Sequence, residues 1–123
     1  MSKLINMYNI RDNIIPSGKT EELAKYLDNN IFLENNIVSN IETFYGSAIS
    51  VNNILMISLL NLFVRENNIK INKSNVIREI YYADCRYDYE KQLKLYSSRI
   101  EVGSFSDEIQ EEYISKYWNI FNK

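Results

Sequence analysis

The chain contains no histidine. That removes the commonest general base, the commonest metal ligand and every catalytic triad built on an imidazole. Cysteine occurs once, as Cys85, which excludes an intramolecular disulfide and a thiolate zinc site within one chain. A lone cysteine suits a reducing compartment. Long apolar runs are also missing. The most apolar stretch, Ile54 to Val64, is interrupted by Ser58 and Asn61. It falls far short of the roughly 20 residues that a spanning helix needs. The first residues, Met1 to Met7, are broken by polar side chains and do not read as a signal-peptide core. The expectation is a cytoplasmic protein with no membrane segment. Proline is confined to Pro16, and glycine to Gly18, Gly46 and Gly103. These residues punctuate the chain between periodic segments.

What is present describes an ordinary globular chain. Its 123 residues have the usual size of one domain, and 46% of them are apolar. A single helical domain over residues 1–123 is therefore expected. The net charge of −2 gives no overall attraction to nucleic acid or anionic lipid. Asn, Ile, Lys and Tyr are abundant, and all have codons rich in A and T. That bias suggests a phage, a mobile element or a low-GC bacterium as the source.

Hydrophobic periodicity divides the chain into helical segments. Leu4 to Ile15 reads as a helix or short strand, with helix favoured. After the Pro16-Ser17-Gly18 turn, Thr20 caps a helix with Glu21 and Glu22 in its first turn and Leu23, Ala24, Leu27 and Ile31 on one face. Asn36 to Ala48 follows, with Gly46 loosening its end. The next helix, capped by Ser50 and reaching Glu66, is apolar nearly all round and is expected at the centre, packed through Ile54, Leu55, Leu59, Leu62 and Phe63. Ile69 and Ile71 alternate in a loop or a very short strand near 69–72. From Ser74 to about Ser98 runs a long helix, with a break expected near Asp84 to Asp88. Tyr82, Cys85, Tyr89, Leu93, Tyr96 and Ile100 form its core stripe. After Gly103, Ser104 or Ser106 caps a last helix whose apolar face is Ile109, Tyr113, Ile114, Tyr117, Trp118 and Phe121. That face reads as core, with dimerisation or a partner groove as the other use. The fold class is all-α, an irregular bundle of about five to six helices.

Few residues offer chemistry. Pro16-Ser17-Gly18-Lys19-Thr20 resembles the end of a P-loop, where backbone N–H groups wrap a phosphate. Its first glycine is absent, because Asn13 holds that position. A turn into a capped helix is the simpler reading. Asp84 and Asp88, four apart, share a helix face and could hold a divalent cation, but no second acidic pair supports them. No catalytic residue, metal or cofactor is expected. The cluster from Tyr81 to Tyr89 combines Tyr and Arg, the composition of binding hot spots. Tyr81, Arg86, Tyr87 and Asp88 are the expected contact residues for another protein, and a homodimer is a further possibility.

The leading expectation is a small non-enzymatic interaction module such as an inhibitor, an immunity or anti-defence protein or an accessory subunit. The alternative is a DNA-binding regulator of helix-turn-helix type. Between Arg65 and Arg78 the local charge is +3, and Lys70, Lys73, Asn75 and Arg78 would meet DNA near a helix N-terminus. The connection is long for that motif and lacks its usual glycine.

Overall fold

A computed structural model describes residues 7–30, 37–97 and 105–121. Among these the chain is all-α and contains no strand. The elements are α1 (Met7–Asn9), a π-helical turn (Ile10–Ile14), α2 (Thr20–Asn30), α3 (Ile37–Ser50), α4 (Ile54–Glu66), α5 (Lys73–Tyr87), α6 (Tyr89–Ser97) and α7 (Asp107–Phe121). Residues 69–72 have no regular structure, so Ile69 and Ile71 alternate within a loop. Leu4, Ile5, Ile31, Asn36, Ser98, Ile100, Gly103 and Ser104 lie outside the described residues, as do the side chains of Tyr87, Tyr96, Trp118 and Phe121.

The centre of the bundle is α3. Every residue from Ile41 to Ile49 is buried. Its most extensive partner is α5, and it also packs on α4 and on the π-helical turn. A helix buried on all sides must satisfy its polar side chains internally. Ser47 Oγ donates to the Arg11 carbonyl at 2.7 Å, and Thr43 Oγ1 donates to the Ser39 carbonyl. The carboxylate of Glu42 accepts from the Asn72 backbone N–H at 2.7 Å and from the Asn75 side-chain amide at 3.2 Å.

Gly46 makes the α3–α5 crossing possible. A Cβ at this position would lie 2.5 Å from Glu79 Cβ and 2.6 Å from the Glu79 carbonyl carbon. Sequence periodicity assigned Gly46 to a loosened helix end. It lies instead inside α3, where its missing side chain lets two backbones approach.

Asparagine sets the helix boundaries. Asn52 and Asn68 adopt positive φ, 54° and 53°, just after α3 and α4. In each case the next N–H reaches back to close the helix: Asn53 N to the Ala48 carbonyl at 2.9 Å, and Ile69 N to the Val64 carbonyl at 3.0 Å. Asn is the residue besides glycine that most readily adopts this conformation. Asn53 and Asn72 then cap α4 and α5, accepting from Met56 N and Asn75 N, each at 3.1 Å. The cap of α4 is therefore Asn53 and not Ser50, and α5 begins one residue before Ser74. At α7, Ser106 Oγ accepts from Ile109 N.

The expected break in the long helix falls at Asp88, whose backbone is extended (φ −115°, ψ 96°). It resets the helical phase, so the stripe that buries Cys85 does not continue through α6. Tyr89 is 71% exposed. One hydrophobic cluster gathers the buried side chains of the π-helical turn and its following residue, α2, α3, α4, α5 and Tyr113 of α7. No helix among the described residues is long and apolar enough to cross a membrane.

Candidate functional site

Of the residues singled out around Tyr81, the structure describes the side chains of Tyr81, Arg86 and Asp88, and they differ in exposure. Tyr81 is 1% exposed. Its ring packs on Tyr82, Phe105 and Tyr113, the last edge-on at 5.5 Å between centroids. Its placement as a contact residue is thus corrected: Phe105 and Tyr113 close over the ring and leave it no open surface. Burial also pushes the Tyr81 hydroxyl well above the ordinary tyrosine range. Arg86 is half-buried, with Nε 3.5 Å from Asp12 Oδ1. Arg11 pairs with the same Asp12 at 2.7 Å and lies over the Tyr8 ring. Asp88 is exposed.

Glu79 faces this charge cluster from α5. Burial raises its carboxyl above the ordinary value of 4.5, against the opposing pull of Arg86, a hydrogen bond from the Thr43 side chain, and the charges of Arg11 and Arg78. The arrangement ties α5 to the π-helical turn, a structural use of charge.

Asp84 is equally committed. Its Oδ1 accepts from Ser50 Oγ at 2.5 Å and its Oδ2 from the Tyr113 hydroxyl at 2.6 Å, joining α3, α5 and α7. Burial, and next the Asp84 charge, raise the Tyr117 hydroxyl above its ordinary range. Asp84 and Asp88 do not share a helix face, because α5 ends between them. No group of three or more His, Cys, Asp or Glu among the described residues is placed to hold a metal ion. Cys85 is buried.

The turn before α2 has no open phosphate cradle. The N–H groups of Ser17, Gly18, Lys19 and Thr20 donate to the carbonyls of Asn13, Ile15, Ile14 and Gly18 at 2.9–3.1 Å. Gly18 has φ +74°, the conformation that closes the turn.

The residues of the DNA-binding alternative lie on both sides of the α4–α5 connection. Lys70, Lys73 and Arg78 are exposed, while Asn75 is half-buried and its amide is held by Glu42. Both α4 and α5 make their most extensive contacts with α3. A helix-turn-helix pair, by contrast, is joined by a tight turn of three or four residues.

The prominent unassigned surface is α4. Met56, Leu60 and Phe63 face the core. Ile54 is 68% exposed, Leu55 71% and Leu62 42%. The central position expected for this helix is corrected by these values. Leu59 is half-buried and packs against the core. Beside this face lies a groove of about 540 Å³. Ile54, Ile57, Val64, Ile71 and Tyr45 supply its apolar lining, and Asn52, Ser58 and Asn61 its neutral polar groups. Arg65 and Lys73 are the charged residues that line it, both cationic and exposed. The Tyr45 hydroxyl donates to Asn61 Oδ1 at 2.7 Å, fixing one wall, and burial keeps that phenol protonated far into the alkaline range. A smaller hollow of about 190 Å³ on the other flank lies between α2 and α4.

Sequence reasoning missed this surface because α4 is too apolar for its periodicity to separate an inner from an outer face. Ser58, Asn61 and Arg65, spaced three and four apart, were the available signal. Comparison of the chain with protein-family models, with curated proteins and with solved structures gives no match.

Proposed function

We propose that the protein is a small non-enzymatic interaction module whose partner is another protein, docked on the exposed face of α4. The observation that carries this reading is the exposure of Ile54 and Leu55 side by side, with Leu62 two turns along the same helix. Isolated apolar residues on a surface are ordinary, but a cluster of large aliphatic side chains beside a groove marks a contact site. The capped, well-anchored α4 presents them on a rigid element, which limits the ordering cost of binding. The inward-facing carboxylates Asp84 and Glu79 are engaged between helices, and this fits a binding role better than a catalytic use of either.

The test is capture from nuclease-treated lysate of the source cell, with the wild-type chain and with Leu55→Asp. Leu55 is exposed, so the variant is expected to keep its melting temperature while losing the captured protein. Equal capture by both forms places the contact elsewhere. Material that disappears on nuclease treatment favours the DNA-binding alternative through Lys70, Lys73 and Arg78.

A further inference from the structure

We infer that the protein docked on α4 is a second copy of this chain, with the two α4 helices parallel about a two-fold axis. The inference rests on the reading of α4 as a contact face. The exposed arc of that helix has two sides. Ile54 is followed by Asn61 and Arg65, seven and eleven residues on, and these hold one side. Leu55 is followed by Leu62 and Glu66 at the same two spacings, and these hold the other. Ser58, also exposed, lies between them.

The two sides border hollows of opposite charge. Arg65 and Lys73 are the charged residues that line the groove of about 540 Å³. Asp28 and Glu66 are the charged residues that line the hollow of about 190 Å³, together with Leu62. The apolar ridge therefore runs between a cationic flank and an acidic one.

A surface with this layout matches itself. A two-fold axis parallel to α4 and passing over Ser58 lays each side of the arc against the opposite side of the second copy. Ile54 then meets the second copy's Leu55, Asn61 meets its Leu62, and Arg65 meets its Glu66. Each pair is offset by one residue, about 1.5 Å along the helix. The small Ser58 on the axis lets the helices approach. Symmetry makes every one of these contacts twice.

Other occupants match less of the face. In an antiparallel pair Leu55 can meet Leu62, but each flank then faces its own kind. Arg65 falls beside Asn52, a neutral residue of the same groove, and forms no ion pair. A DNA backbone or an acidic helix is drawn to Arg65 and Lys73 and repelled by Asp28 and Glu66.

The experiment is sedimentation equilibrium of the full chain over a wide range of concentration. The wild type is expected to be a dimer that dissociates on dilution. Leu55→Asp, a change at an exposed position, gives a folded monomer. Arg65→Glu and Glu66→Arg, also at exposed positions, each set like charges together twice across the axis. Each is expected to weaken the dimer about tenfold, less at high salt. An equimolar mixture of the two variants regains wild-type association, because the acidic arc of one chain meets the basic arc of the other.

A monomer at every concentration overturns the inference. So does a dimer that survives Leu55→Asp, since its contact lies on another face. A dimer indifferent to both reversals, or a mixture no tighter than its two components, removes the parallel pairing and the inference with it. If the chain is monomeric while lysate capture still depends on Leu55, the face belongs to a different protein and the interaction reading stands. If neither self-association nor capture depends on Leu55, that reading falls as well.

Discussion

Helices α3 and α4 have opposite fates for their composition. The more apolar of the two, α4, leaves Ile54, Leu55 and Leu62 at the surface. The more polar, α3, buries Glu42, Thr43 and Ser47. The difference lies in size and in partners. In α3 the run Gly46-Ser47-Ala48 lets neighbours approach closely, and each buried polar group finds a bond across an element boundary or one turn back. In α4 the bulky side chains exceed what α2 and α3 can cover. Burial follows from which neighbours close over a helix, and apolar content alone does not select the centre.

The contrast can be tested directly. Phe44, fully buried on α3 and edge-on to Tyr26 at 5.7 Å, is expected to cost about 3–5 kcal/mol when changed to alanine. Leu55→Ala on α4 should stay within about 0.5 kcal/mol, because no packing is lost. Denaturant unfolding of the two variants measures both, and equal losses would erase the distinction between the helices.

Gly46→Ala is expected to cost about 3 kcal/mol, since the new Cβ meets Glu79 backbone that cannot yield without moving α5 from α3. A near-neutral result would mean that the crossing is loose. Asn53→Ala removes the cap of α4 and should cost about 1 kcal/mol, also read in denaturant.

The smallest effect concerns pH. The raised carboxyl of Glu79 means the folded protein holds its proton more tightly than the unfolded chain does. This contribution is fully present below pH 4.5 and is lost as pH rises through the folded value. Glu79→Gln should flatten that segment of the melting-temperature profile. An unchanged profile would show that Arg86, the Thr43 hydrogen bond and the other arginines compensate the burial fully.

These comparisons also show how much was legible beforehand. The stripes of α2 and α7 and the Ser106 cap were readable from the sequence, because these signals are local; Thr20, expected as the cap of α2, is instead its first helical residue. The break near Asp88 was readable as well. The boundaries set by Asn53 and Asn72 were not, since several Ser and Asn residues compete for each cap and only the turn geometry selects one. Tyr81 could not be separated from an exposed tyrosine, because its neighbours Phe105 and Tyr113 arrive from distant sequence.

The sequence by itself determined that the chain is helical and that imidazole chemistry is closed to it. Periodicity, capping residues and composition act over a few turns and need no tertiary partner. Only the tertiary structure decided that α3 lies inside and that α4 shows an apolar face beside Arg65 and Lys73. That choice depends on how closely nonadjacent backbones approach, which Gly46 permits at Glu79 and which no local pattern encodes.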